Sequence, residues 1–168
     1  VQSVSEAIIE VVELVKPNFC GMNIEIEISE SFLKQRLMAE FDAKAIHRVL
    51  LNLLNNSCDA IYERYQEKEG GKVEISASVT NHERIVEIVI KDNGCGIPED
   101  KIEEVFEMFY SGKGECGTGL GLAVSKRLIE AHNGVISVES EVGQFTTFYI
   151  RLPLTQHIQG TQLLQRPL

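Results

Sequence analysis

Between residues 5 and 16 the apolar positions Ile8, Val11, Val12 and Val15 recur at helical spacing, and Pro17 predicts the end of that helix. Ile24, Ile26 and Ile28 then alternate with Glu25 and Glu27, the period-two pattern of a strand with one wet face. Residues 31–41 carry no readable period. Asp42 is a good N-cap for a long helix whose apolar set is Ile46, Val49, Leu50, Leu53, Leu54 and Ile61. That helix runs out near Gln66, and Gly70-Gly71 closes it. Val73, Ile75, Ala77 and Val79 alternate, Asn81-His82-Glu83 forms a polar turn, and Val86, Ile88 and Ile90 alternate again, predicting an antiparallel hairpin. A break at Asp92-Asn93-Gly94-Cys95-Gly96-Ile97-Pro98 is followed by a short helix with Ile102, Val105, Phe106 and Phe109 on one side. A glycine-dense segment spans residues 112–121. A helix over about 120–132 stops at Asn133-Gly134, and strands follow over 135–141 and 145–152.

Most neighbouring strands are thus joined by tight turns rather than crossover helices, which predicts an α+β fold. The expected architecture is a two-layer α/β sandwich, a mixed sheet covered on one face by helices. The 168 residues suit one domain with one core, expected over 1–153, with 154–168 as a flexible tail. Apolar residues at 43% and charged residues at 24% are ordinary for a globular protein.

Charge narrows the partners. The formal net charge of -9 argues against nucleic acid, whose binding rests on clustered Lys and Arg. No apolar run approaches the roughly 20 residues that span a bilayer, and no basic-then-apolar leader opens the chain. A cytoplasmic domain without direct membrane contact is expected. Cys20, Cys58, Cys95 and Cys116 are scattered, with no C-x-x-C pair to suggest zinc or a redox dithiol.

Three segments carry chemistry. In the long helix Asn52, Asn56 and Asp59 fall on one face of an otherwise apolar run, so they meet either a ligand or water. An amide oxygen is a hard neutral ligand for Mg²⁺ that bridges phosphates, which makes Asn56 the metal candidate. At the end of a strand, Asp92 followed by Gly94 and Gly96 places a carboxylate beside backbone that can approach a flat ring. Adenine offers an amine to such a carboxylate, whereas guanine presents a carbonyl there. Taken alone, the same Asp-Asn-Gly is a common turn. Finally Gly117-Thr118-Gly119-Leu120-Gly121-Leu122 runs into a helix, so backbone N–H groups could face phosphates, with Lys113 just before it. No Gly-Lys-Ser/Thr follows, which excludes a Walker loop.

In order, Asn52-Leu53-Leu54-Asn55-Asn56-Ser57, the break at Asp92 to Pro98, Phe106-Glu107-Met108-Phe109-Tyr110 and the last glycine segment resemble the asparagine, first glycine, phenylalanine and second glycine boxes of sensor histidine kinases. The resemblance covers residues 5–152, including the closing Thr146-Thr147-Phe148-Tyr149-Ile150-Arg151-Leu152-Pro153. It implies the ATP-binding fold shared with gyrase, mismatch-repair and heat-shock chaperone ATPases. It also implies that Asp92 takes the adenine amine, with Gly94, Gly96 and Ile97 around it and Thr146 supporting that end. Asn56 would hold Mg²⁺, Asn52 would serve the phosphate region, and Gly117, Thr118, Gly119, Leu120 and Gly121 would hold the phosphates of ATP, with Lys113 in reach. Asn52, Asn56 and Lys113 are thereby the expected catalytic residues. The short stretch between Phe109 and Gly117 resembles the abbreviated lid of nitrogen-regulation-type kinases. Asp59 stands where many relatives have lysine, and Phe145 where glycine usually precedes the threonines.

Hydrolytic members of the wider superfamily carry a glutamate base four residues before the metal asparagine. Here that position is Asn52, which cannot take a proton from water, so transfer to an outside nucleophile is expected. His47, His82, His132 and His157 lack the context of an acceptor histidine. The acceptor is expected on an upstream dimerisation domain, and a response-regulator receiver downstream. A serine kinase of the anti-sigma type and a non-catalytic nucleotide-binding scaffold are the alternatives.

Overall fold

The computed structural model describes residues 2–30, 37–39, 41–66, 68–80, 84–108 and 120–154. A short strand β1 (Gln2–Ser3) leads into α1 (Val4–Gly21), whose N-cap Ser3 accepts from the Glu6 N–H at 3.2 Å. The edge strand β2 (Ile24–Ile28) and the two-residue β3 (Met38–Ala39) precede the long helix α2 (Ala43–Tyr65). Asp42 caps α2 as expected, accepting from the Lys44 N–H at 2.9 Å. The hairpin β4 (Gly71–Thr80) and β5 (Ile85–Asp92), the helix α3 (Gly121–Ala131) and the hairpin β6 (Val135–Glu141) and β7 (Phe145–Pro153) follow.

The main sheet has the order β2-β4-β5-β7-β6. Only β2 and β4 run parallel, joined by the crossover through α2, and every other pair is antiparallel, so the sheet is mixed. One face is apolar: Val73, Ile75, Val86, Ile88, Ile90, Phe148, Ile150 and Leu152 are buried. Against it pack Val11, Val15 and Phe19 of α1, Leu50, Leu53 and Leu54 of α2, and Ile129 of α3. The other face carries ion pairs such as Lys72 with Glu27 and Glu74, and Arg151 with Glu87. This is the expected two-layer sandwich.

Two local expectations fail. Pro17 does not end α1, which continues to Gly21. Pro17 is on the exposed side of the helix, where the carbonyl its missing N–H would have met can be solvated, and fully buried Phe19 anchors the last turn. Instead of one short helix there are two 3₁₀ turns, Glu99–Lys101 and Glu104–Phe106, with Ile102 just after the first and Val105 and Phe106 in the second. Each turn is three residues long, too short to propagate an α-helix. The 81–83 turn and Phe109 lie outside the described residues, as does the expected tail beyond Leu154. Leu154 itself is tied in, its N–H bonding the Arg84 carbonyl at 2.6 Å.

Candidate functional site

Alternation along β5 turns Asp92 to the same inner face as Val86, Ile88 and Ile90, at the end of the sheet. The carboxylate is 2% exposed, a costly place for a charge unless it is hydrogen-bonded. Its Oδ1 accepts the Gly94 N–H and its Oδ2 the Ser57 hydroxyl of α2, both at 2.9 Å. Burial pushes its pKa up to about 6, while those two donors and the Thr146 backbone hold it from rising further. Across the sheet, register pairs Asp92 with Thr146 of β7, whose side chain is also buried. A carboxylate and a hydroxyl thus stand side by side at the same edge.

The loop after Asp92 is bound closely to its neighbours. A Cβ on Gly94 would come 2.6 Å from the Ala60 Cβ, and the next N–H, of Cys95, bonds the Ala60 carbonyl at 3.0 Å. Gly96 has φ +75°, and a side chain there would collide with the Glu141 carbonyl. The glycines therefore serve loop packing against α2 and the β6–β7 turn. Arg64 adds a clamp: its Nη1 donates to the Asn93 carbonyl at 2.7 Å and the Gln144 carbonyl at 3.0 Å, with the Gly94 carbonyl at 3.4 Å. Its guanidinium also lies 5.1 Å from the centre of the Tyr65 ring. Further along, the Ile97 N–H donates to the Ser140 hydroxyl at 2.8 Å.

Asn52 and Asn56 sit one turn apart on α2, both half-buried. The Asn52 Nδ2 donates to the Ser125 hydroxyl of α3 at 3.1 Å, and Ser125 donates to the Gly121 carbonyl at 2.9 Å. A Cβ on Gly121 would run into the Asn52 amide. Asn52 is therefore in contact with the first turn of α3, where the glycine segment ends. No side chain caps that helix at Leu120 among the described residues, and N–H groups at a helix start suit an anion. The Asn56 amide has no side-chain partner among the described residues, and no cluster of three or more His, Cys, Asp or Glu there could hold a metal. A neutral amide oxygen such as that of Asn56 fits a divalent ion that arrives with phosphates. Phe106 packs edge-on against Phe148, ring centres 6.5 Å apart, and joins the 3₁₀ turns to the sheet.

The structure thus brings Asp92, Gly94, Gly96, Ile97 and Thr146 together at one end of the site, and Asn52, Asn56, Leu120 and Gly121 along α2 and the start of α3. Lys113, Gly117, Thr118 and Gly119 lie outside the described residues, and so do His82, His157 and Cys116. His132 and His47 make local structural contacts. The Asp42 N–H donates to His132 Nε2 at 3.0 Å, and His47 pairs with Glu10 at 3.0 Å. Sequence reasoning passed over Arg64, Ser125 and Ser140, and gave Ser57 no role of its own. Ser57 and Ser125 were open to notice as polar residues inside apolar helical patterns, whereas Arg64 and Ser140 left no such signal.

The sequence matches the family described as histidine kinase-, DNA gyrase B- and HSP90-like ATPases over residues 41–156. It is 38% identical over 114 residues to sporulation kinase E of Bacillus subtilis, covering 68% of this chain and 14% of that protein. To the sensor protein SrrB of Staphylococcus aureus it is 35% identical over 136 residues, 78% of this chain and 22% of that protein. The chain thus spans under a quarter of the length of these relatives. Its fold is similar to the catalytic domain of the histidine kinase ThkA, with TM-score 0.75, 29% identity and coverage of 92% of this chain and 96% of that one. It is likewise similar to full-length ShkA in complex with AMPPNP, with TM-score 0.77 and 28% identity, covering 92% of this chain and 31% of that one.

Proposed function

The chain belongs to the histidine kinase-, DNA gyrase B- and HSP90-like ATPase family as an ATP-binding domain of the histidine kinase type, and from that premise we propose that it transfers the γ-phosphate of ATP to a histidine on an upstream dimerisation domain, for relay to a response regulator. The observation that carries this reading is buried Asp92, its oxygens held by Ser57 and Gly94 beside Thr146. An acceptor fixed in a dry site suits the exocyclic amine of adenine and would leave a guanine carbonyl facing an anion.

In this reading the adenine end is bound by Asp92, Gly94, Gly96, Ile97 and Thr146. The phosphates lie along Asn52 and the start of α3 at Leu120 and Gly121, with Gly117, Thr118, Gly119 and Lys113 contributing from the preceding segment. Asn56 holds the Mg²⁺ that accompanies ATP. That ion neutralises phosphate charge when bound. The chain's own residues do the rest: they hold the nucleotide in line for an outside nucleophile. Asn52, engaged with Ser125, has no carboxylate to accept a proton from water, so it supports transfer over hydrolysis. A neutral imidazole needs no base to attack, and positioning is then the main contribution.

The domain would occupy residues 1–153, with the remainder as a tail, and would work in the cytoplasm where ATP and a receiver domain are present. No helix among the described residues is long and apolar enough to cross a membrane. The test is incubation of the chain with γ-labelled ATP, Mg²⁺ and the histidine-bearing hairpin of the sensor protein to which it belongs. Acid-labile, alkali-stable label on the hairpin supports the reading. Acid-stable label points instead to a serine kinase, and tight nucleotide binding without any transfer points to a scaffold.

A further inference from the structure

The hydroxyl of Ser140 on β6 meets three groups, and counting its single proton decides how all three are arranged. It accepts the Ile97 N–H at 2.8 Å. At 2.7 Å lies the Phe145 carbonyl oxygen, which can only accept, so the Ser140 proton is used there. The third contact, 3.0 Å to the Thr146 Oγ1, then has one solution: Thr146 donates and Ser140 accepts. With its proton turned toward Ser140, Thr146 keeps only lone pairs for anything else it meets. Register places it directly beside Asp92 on the inner face of the sheet. Asp92 is itself an acceptor whose bonds to Ser57 and Gly94 are both made by donors on the protein.

We propose that Ser140 is a positioning residue for base selection, one that turns the Thr146 hydroxyl away from the base so that the purine edge meets two acceptors instead of one. The inference rests on the reading of this end of the site as the adenine end. A 6-amino purine donates to such a pair. A 6-oxo purine, as in inosine or guanine nucleotides, brings an acceptor and finds no donor. If Ser140 loses its hydroxyl, Thr146 is free to rotate and offer its proton to the base. Discrimination against the oxo purine then weakens even though Asp92 and Thr146 are intact.

The experiment is calorimetric titration of the 168-residue chain with ADP and with IDP, each with Mg²⁺, for the wild type, Ser140→Ala, Ser140→Thr and Ser140→Cys. The readout is the ratio of the two dissociation constants, which a purely structural loss would not change because it weakens both ligands alike. Ser140→Ala is expected to narrow the ratio about tenfold, the worth of one hydrogen bond at ~1.4 kcal/mol, and Ser140→Thr to restore it. Should the alanine variant fail to fold, Ser140→Cys fills the space with a poor hydrogen-bonding group and must narrow the ratio in the same sense. An unchanged ratio in a folded Ala or Cys variant overturns the proposal while leaving adenine binding in place. A folded wild type that binds neither nucleotide removes the adenine reading itself, and this inference with it.

Discussion

The Ser57 hydroxyl on α2 donates to the Asp92 carboxylate on β5 at 2.9 Å, a bond between residues 35 positions apart that joins the helix layer to the end of the sheet. It makes a buried anion tolerable without neutralising it. The neutral form of Asp92 is favoured by the fold, because its pKa rises from 3.8 to about 6. The stability associated with that proton is present in full below pH 4 and is lost as pH rises through 6.

Asp92→Asn should therefore stabilise the nucleotide-free chain at pH 7.5, by up to about 3 kcal/mol from a shift of about two units. The Asn oxygen still accepts the Gly94 N–H, and the Ser57 hydroxyl turns to accept from the new amide. The same variant should lose ADP affinity by about a hundredfold or more, since an amide N–H would face the adenine amine. Thermal melts and titrations of the one variant check both halves. Stability and affinity falling together would show Asp92 to be structural.

Nucleotide binding should also follow the protonation of Asp92. On the proposed reading the carboxylate accepts from the adenine amine more strongly than the neutral carboxyl, so ADP affinity is expected to be flat above pH 7 and to fall as pH drops through about 6. At pH 5 it should be about tenfold weaker, with one proton released on binding. Titrations in buffers of different ionisation enthalpy measure that proton directly.

Arg64 ties the loop after Asp92 to the turn before Thr146 by bonds to the Asn93 and Gln144 carbonyls. Arg64→Met keeps the stem and removes the clamp. ADP affinity is expected to fall about tenfold, with faster amide exchange at Asn93 and Gln144 and little change in the melting temperature.

The strands of the sheet could be read from the chain because each carries an unbroken run of alternation: Ile24, Ile26 and Ile28 in β2, or Val86, Ile88 and Ile90 in β5, have one wet and one dry face. The pairing of Gln2–Ser3 with Met38–Ala39 could not, since two residues define no period. Pro17 misled because a proline's effect depends on which side of the helix faces water, and that is a tertiary fact. In the site, Asp92, Asn52 and Asn56 stood out as polar groups at strand ends or in apolar helical runs. Ser140 and Arg64 did not, because the Ile97 and Gln144 groups they bind lie 43 and 80 positions away and no spacing announces such bonds.

Asn56 differs from Asn52 in having no side-chain partner among the described residues, so removing it should cost little structure. Asn56→Ala is expected to abolish the gain in ADP affinity that Mg²⁺ gives the wild type and to leave metal-free ADP binding within about twofold. Titrations with Mg²⁺ and with a chelator separate the two effects.

The most direct measurement is calorimetry of the wild-type chain at pH 7.5 with ADP and with GDP in the presence of Mg²⁺. The proposed adenine site at Asp92 and Thr146 requires saturable one-to-one binding of ADP and at least about a hundredfold weaker binding of GDP. Equal affinity for the two, or no binding of ADP by a chain whose melt shows it folded, would contradict it.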